Sequence, residues 1–286
     1  MEALFYNKLG HNKVECSLCP HYCNILPNHV GICRARKNND GVLETIAYGR
    51  ICSVAVDPIE KKPLYHFLPG SKTFSIAIPG CNFKCSNCQN DGISQHSIED
   101  TNTSYISPED VVEQASECGS ISYTYTEPLI FFEYVYDTAK LAKGKGIKNI
   151  IVSNGYINER PLKMLAPYLD AANIDLKCFD EKVHQNLTKG KLDVVLNTLK
   201  ILKDNNVWLE ITNLIIPNWT DDTTMIFNMC EWLVKNGFSE YPLHFTRFFP
   251  RFKMNEGFGM TNLESLETAK NIALSCGMKY VYLGNV

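Results

Sequence analysis

Short apolar runs alternate with amphipathic stretches from about Lys72 to the end of the chain. That alternation predicts parallel strands joined by right-handed crossover helices. The strands are expected at Phe74 to Ile78, Ile121 to Thr126, Ile147 to Ser153, Ala171 to Leu176, Val207 to Ile216, Leu243 to Phe248 and Tyr280 to Leu283. Between them, Leu192, Val195, Leu196, Leu199 and Leu202 recur at helical spacing, as do Met225, Ile226, Met229, Trp232 and Leu233. Both stripes read as core faces. Ser107-Pro108-Glu109-Asp110 pairs a capping serine with proline at the first helical position, so a helix runs from there to about Cys118.

Six or seven strand-helix units suit an incomplete (β/α)6-type barrel, with a doubly wound open sheet as the alternative. Both architectures put chemistry at the carboxyl ends of the strands. The first 72 residues stand outside the alternation, so the chain divides into a cysteine-rich amino-terminal module, 1–72, and a barrel, 73–286. The module carries two short β-like runs, Leu43 to Tyr48 and Ile51 to Val56. Then comes a charged stretch from Asp57 to Phe67 that contains Pro58 and Pro63.

Composition narrows the class. The 286 residues are 45% hydrophobic and 21% charged, with a formal net charge of -3. No apolar run approaches the roughly 20 residues that span a bilayer, and the first residues are too short and polar for a signal peptide. A cytoplasmic protein that does not act at a membrane is expected. The lack of a long basic tract argues against gripping a nucleic-acid backbone. Twelve cysteines in such a chain point to metal ligation rather than disulfides.

Seven of the cysteines fall in two clusters. Cys81, Cys85 and Cys88 form a CxxxCxxC triplet directly behind the first strand. Three thiolates can hold three irons of a cubane, leaving the fourth iron free to chelate a small molecule. A zinc site or ordinary loop packing is the competing reading. Cys16, Cys19, Cys23 and Cys33 make a second set, with His21 and His29 nearby. Zinc and an auxiliary iron-sulfur cluster are both chemically adequate there, and an unmetallated thiol-rich module is the alternative. Four closing ligands favour a structural role.

Polar residues at the strand ends should face whatever the triplet binds. Glu127, Ser153, Asn154, Asp175, Lys177 and His244 qualify by position, as does Asn90 just beyond Cys88; a helix-start acid for Glu127, a simple ion pair for Asp175 with Lys177 and a satisfied core residue for His244 are the competing readings. Asp175 and Lys177 flank Leu176 and so share one side of the sheet. Asp57, Glu60, Lys61, Lys62 and His66 read either as a rigid, polar lid over a substrate or as a solvated linker. Asp175, Lys177 and His66 are the catalytic candidates.

The triplet's spacing resembles the signature of radical S-adenosylmethionine (SAM) enzymes. Cys85-Ser86-Asn87-Cys88-Gln89-Asn90, Thr126-Glu127-Pro128, Asp175-Leu176-Lys177 and Pro217-Asn218-Trp219-Thr220-Asp221 are similar to the activating enzymes of pyruvate formate-lyase. The amino-terminal cysteines and the Asp57 to Phe67 stretch are similar to radical SAM enzymes of the AmmeMemoRadiSam system. Asn87 stands where the superfamily usually has an aromatic residue. The resemblance implies an oxygen-sensitive 4Fe-4S cluster on Cys81, Cys85 and Cys88, with SAM held by Asn90, Glu127, Asp175 and Lys177. It also implies an external electron donor of flavodoxin or ferredoxin type and association with Memo-like and AMMECR-like proteins. The leading expectation is a 5'-deoxyadenosyl radical acting on a small molecule. An activase that installs a glycyl radical on a protein is the alternative, and a non-catalytic metal module is the third.

Overall fold

A computed structural model describes residues 1–286. Its main sheet has eight strands: β1 (Ser53–Pro58), β2 (Lys72–Ala77), β3 (Ser120–Tyr123), β4 (Lys148–Ser153), β5 (Ala171–Asp175), β6 (Trp208–Ile215), β7 (Leu243–Arg247) and β8 (Val281–Gly284). Strands β2 to β8 are parallel and lie side by side in chain order, while β1 pairs antiparallel with β2 at one edge. The order never reverses. A doubly wound sheet would reverse at its switch point, so the arrangement is the singly wound partial barrel.

The crossovers contain α1 (Pro108–Gln114), α2 (Phe132–Gly144), α3 (Glu159–Leu165), α4 (Glu181–Thr188), α5 (Leu192–Asp204), α6 (Thr223–Lys235) and α7 (Leu263–Cys276). Ser107 caps α1 by accepting from the Asp110 amide, as its sequence predicts, but the helix ends earlier, at Gln114. The leucine stripe of α5 and the methionine stripe of α6 are buried in the core.

Alternation along the strands sorts side chains by layer. One face of each strand, including Phe74, Ile76, Ile121, Ile151, Ile174, Leu209 and Ile211, joins the large apolar core. The barrel interior is different. At its base Ile150 and Ala171 pack with Ile59 and Leu64. Above them lie polar residues that satisfy one another: Thr212 Oγ1 donates to Asn173 Oδ1 at 2.9 Å, and Asn173 Nδ2 donates to the Pro63 carbonyl at 2.9 Å.

Residues 53–70, which sequence places in the amino-terminal module, are therefore built into the barrel. After β1 the chain turns inward through a 3-10 turn, Ile59–Lys61, and Leu64 is fully buried. Tyr65 and His66 then pack against Tyr282 of the opposite edge strand. Glu210 fixes this crossing: its carboxylate accepts from the Tyr65 amide at 2.9 Å, the His66 amide at 2.8 Å and His244 Nε2 at 2.7 Å. The charged stretch closes the barrel from beneath. It is a floor, where the sequence suggested a lid.

Before residue 53 the chain forms a three-stranded antiparallel sheet (Tyr6–Lys8, Val14–Cys16, Asn24–Ile25) and a ribbon of Arg36–Asn39 with Val42–Thr45. A buried ion pair, Arg36 to Glu133 of α2 at 2.6 Å, ties this part to the barrel.

Candidate active site

The cysteine loop leaves β2 through Pro79-Gly80. Gly80 has φ +105°, and a Cβ there would stand 2.5 Å from the Cys33 carbonyl oxygen. Only glycine fits both the backbone turn and that close approach. Downstream, the Lys84 and Ser86 amides donate to the Thr188 and Leu187 carbonyls at the end of α4. The loop is thus pinned at both ends, over the carboxyl ends of the strands.

Cys81, Cys85 and Cys88 line one cavity of about 480 Å³ together with Asn90, Glu127, Asn154, Asp175 and Lys177. Sequence-predicted residues from four separate segments therefore meet at one place. The cavity continues downward past Thr124, Val152, Asn173 and Thr212 to Lys61, Lys62 and Pro63 of the floor.

The three thiols suit an iron-sulfur cluster. No three His, Cys, Asp or Glu side chains of the chain converge at the spacing of a single-ion site. A cubane takes one thiolate per iron, and so requires thiols set apart. Donors surround them: the Phe83 amide lies 3.3 Å from Cys81 Sγ, Asn154 Nδ2 lies 3.7 Å from it, and Ser94 Oγ lies 3.1 Å from Cys88 Sγ. Such contacts tune a ligated sulfur. Burial pushes the free Cys85 thiol up to about 12, partly opposed by the Lys177 charge. A metal cluster would supply the positive charge that holds it as thiolate.

Glu127 ends the β3 segment as the cap of Pro128–Phe131 and is 1% exposed. Its Oε1 accepts from the Leu129 amide at 3.0 Å and Ser153 Oγ at 2.8 Å, and its Oε2 accepts from the Asn154 amide at 2.8 Å. Burial raises its pKa to about 7 despite those donors. One acceptor position stays free on Oε2. Ser153 itself does not line the cavity; it orients Glu127 from behind.

Lys177 Nζ contacts Asp175 Oδ2 at 2.9 Å. Burial pushes the lysine down, but Asp175, Cys85 and Cys88 pull it up by more, so it stays charged. Asn90 Nδ2 donates to the Tyr125 carbonyl at 2.6 Å. Asn87, which lines the same cavity, keeps a buried Oδ1 without a hydrogen-bond partner.

Two sequence candidates lie elsewhere. His66 Nε2 bonds the Tyr282 hydroxyl at 2.6 Å, and its ring stands among Trp208, Tyr280 and Tyr282, outside the cavity. His244 is buried against Glu210. Both point into the aromatic seam where the floor meets β8, so neither reaches the cavity.

Of the charged stretch, Lys61 and Lys62 line the cavity and Asp57 stands behind them, at 2.8 Å from Lys61 Nζ and 2.6 Å from Lys62 Nζ. Tyr125 also donates to Asp57, and its ring centroid lies 4.3 Å from Lys62 Nζ. Burial raises the Asp57 carboxyl, but the two lysines and Tyr125 outweigh it and hold it well below the usual range. Glu60 turns away and accepts from the Gly70 amide. Tyr125, Asn173 and Thr212 are cavity residues that sequence reading missed. Asn173 sits two residues before Asp175, on the same strand face, and that period was the available signal.

The model of the radical SAM superfamily matches residues 75–230, which contain the cysteine triplet and β2 to β6. The chain belongs to the radical SAM superfamily. It is a radical SAM enzyme, and its cofactors are a 4Fe-4S cluster and SAM, which sets aside the reading as a non-catalytic metal module. The chain is 44% identical over 287 residues to the uncharacterized protein MJ0808 of Methanocaldococcus jannaschii, covering 100% of this chain and 85% of that one. It is 24% identical over 172 residues to the pyruvate formate-lyase 1-activating enzyme of Escherichia coli, covering 57% of this chain and 69% of the relative. The structure of Streptococcus suis SuiB bound to S-adenosylmethionine shares the radical SAM fold, with a TM-score of 0.53 at 12% identity, over 72% of this chain and 48% of that one. No helix of this radical SAM enzyme is long and apolar enough to cross a membrane.

Proposed function

We propose that this radical SAM enzyme acts on a small polar molecule held between SAM and the Lys61-Lys62-Pro63 floor. The cavity that joins the three cysteines to that floor is the observation that carries the reading. Bound to Cys81, Cys85 and Cys88, the cluster would supply one-electron cleavage of SAM to a 5'-deoxyadenosyl radical. The protein's own part is placement. Glu127 Oε2 offers its free acceptor position to the methionyl ammonium, Lys177 faces the carboxylate, and Asp175, Asn90 and Asn154 hold the remaining polar groups of SAM.

Beneath SAM, Asn173, Thr212, Thr124 and the two lysines present donors and acceptors suited to a polar, oxygen-rich substrate. The radical would abstract hydrogen there or lead to carbon-carbon bond formation. We place the enzyme in the AmmeMemoRadiSam system, in association with Memo-like and AMMECR-like proteins, on the likeness of its cysteine-rich module (1–72) and charged stretch to that group. An external donor of flavodoxin or ferredoxin type would supply the electron.

Glycyl-radical activation is the second reading, favoured by the likeness to the pyruvate formate-lyase activating enzyme. An activase must admit a peptide loop; here the barrel is shut below, and the cavity narrows to a floor. Anaerobically reconstituted enzyme given reductant and SAM should release 5'-deoxyadenosine, and release should rise when the substrate is added. Absence of 5'-deoxyadenosine under strong reduction overturns both readings, whereas a glycyl radical on an added protein, seen by electron paramagnetic resonance (EPR), selects the second.

A further inference from the structure

Cys16, Cys19, Cys23 and Cys33 line a second, small hollow, whose wall also includes His21, Arg36 and Asn82. Three observations describe what this hollow fits. The thiols gather around one space, yet no three of them stand at single-ion spacing. A zinc tetrahedron with Zn–S of about 2.3 Å would bring its sulfurs to about 3.8 Å from one another. Cys81, Cys85 and Cys88, the ligands of the radical SAM cluster, likewise lack that spacing.

Arg36 is the second observation. It is 0% exposed, and its Nε has no hydrogen-bond partner. Its other nitrogens bond the Leu4 carbonyl and Glu133. An orphaned N–H in the wall of a thiol-lined hollow calls for an acceptor there. Inorganic sulfide and metal-bound thiolate sulfur are both such acceptors, so this nitrogen points to a metal site without choosing the metal. The guanidinium also offsets the negative charge that four thiolates bring.

The third observation is position. Cys81 lines the SAM cavity and Asn82, the next residue, lines the quartet's hollow. His21 Nε2 bonds the Asn82 carbonyl at 2.8 Å, and Asn154 Nδ2 donates to Asn82 Oδ1 at 2.9 Å. One peptide unit separates the two sites. Cys19, Cys23 and Cys33 are only partly buried, so the quartet also lies within reach of the surface.

We propose that Cys16, Cys19, Cys23 and Cys33 hold a second 4Fe-4S cluster that relays electrons to the first. A reduced flavodoxin- or ferredoxin-class donor gives up one electron and is oxidised; the quartet's cluster takes it and is reoxidised as the same electron passes to the cluster on Cys81, Cys85 and Cys88. The transfer moves no proton and breaks no bond. This role replaces the structural one that four closing ligands suggested.

The test needs no catalytic turnover, so its failure is separate from any failure of the proposed activity. Anaerobically reconstituted wild-type protein should contain about eight iron and eight sulfide per chain and no zinc. The variant Cys81→Ala/Cys85→Ala/Cys88→Ala should keep about four of each, with a reduced EPR signal that does not change when SAM is added. Wild type with about four iron, with or without zinc, overturns the cluster, as does a triple variant that is folded by circular dichroism and free of iron. Freeze-quenched wild type mixed with reduced flavodoxin should show the SAM-insensitive signal before the SAM-sensitive one. Simultaneous or reversed appearance overturns the relay.

Discussion

Ser153 Oγ donates to Glu127 Oε1 at 2.8 Å inside the wall of the cavity we assign to SAM, where neither side chain meets bulk water. The contact helps keep a buried carboxyl ionised. With the Glu127 pKa near 7, its charge is present above that pH and lost below it. SAM affinity should therefore weaken as pH falls through about 7. Ser153→Ala removes a donor worth about 1 kcal/mol, which should raise the pKa further and weaken SAM binding several-fold at neutral pH. Equilibrium SAM binding by reconstituted protein across this range checks both effects, and an unshifted profile in the variant contradicts the assignment.

Lys177 carries the cavity's clearest positive charge near the thiols. Lys177→Met should leave Asp175 unpaired beside the cluster loop and cost about 2–3 kcal/mol of SAM binding, about a hundredfold in dissociation constant. Iron content should stay normal, since Lys177 is not a ligand. Loss of iron together with SAM affinity would assign it a structural role instead.

The floor lysines separate substrate recognition from SAM cleavage. Lys61, whose side chain is 59% exposed, can be removed at little cost in stability, because exposed pairs contribute little. Lys61→Ala should then reduce product formation while uncoupled 5'-deoxyadenosine release persists. Lys62→Met, by contrast, strips a buried partner from Asp57 and should cost about 3–5 kcal/mol of stability. Thermal unfolding of the two variants, beside product and 5'-deoxyadenosine assays, distinguishes the roles.

Glu210 links pH to stability. Burial pushes its carboxyl up, but His244 and the Tyr65 and His66 amides pull it down by more, so its folded pKa lies below the unfolded value of about 4.3. Such a group stabilises above the unfolded pKa, and its contribution is lost as pH falls through the folded one. Glu210→Gln should lower stability at neutral pH by about 2–3 kcal/mol and flatten the acid limb of a melting-temperature profile.

Much of this arrangement was readable from the chain. Each parallel strand announced itself by a short apolar run between amphipathic stretches, and residues at the ends of those runs, such as Asn154, Asp175 and Lys177, reached the cavity as strand-end positions should. For His244 the structure selects the core reading over the cofactor one, a choice the sequence left open because its place on a strand was known but its depth was not. It lies at the second position of β7, opposite Thr212 in the ladder, and its ring turns down to the Glu210 carboxylate. The Asp57 to Phe67 stretch was misplaced for a different reason. Whether a prolyl, charged segment covers a barrel or enters it depends on the partners it finds, and Glu210, Asn173 and Tyr282 come from strands more than a hundred residues away.

The sealed base of the barrel dictates traffic. Leu64 and Pro63 stop the lower end, so a molecule that reaches the lysines through the upper opening takes the passage SAM would then occupy. Substrate should consequently load first, SAM second, and the altered substrate should stay trapped until methionine and 5'-deoxyadenosine have departed.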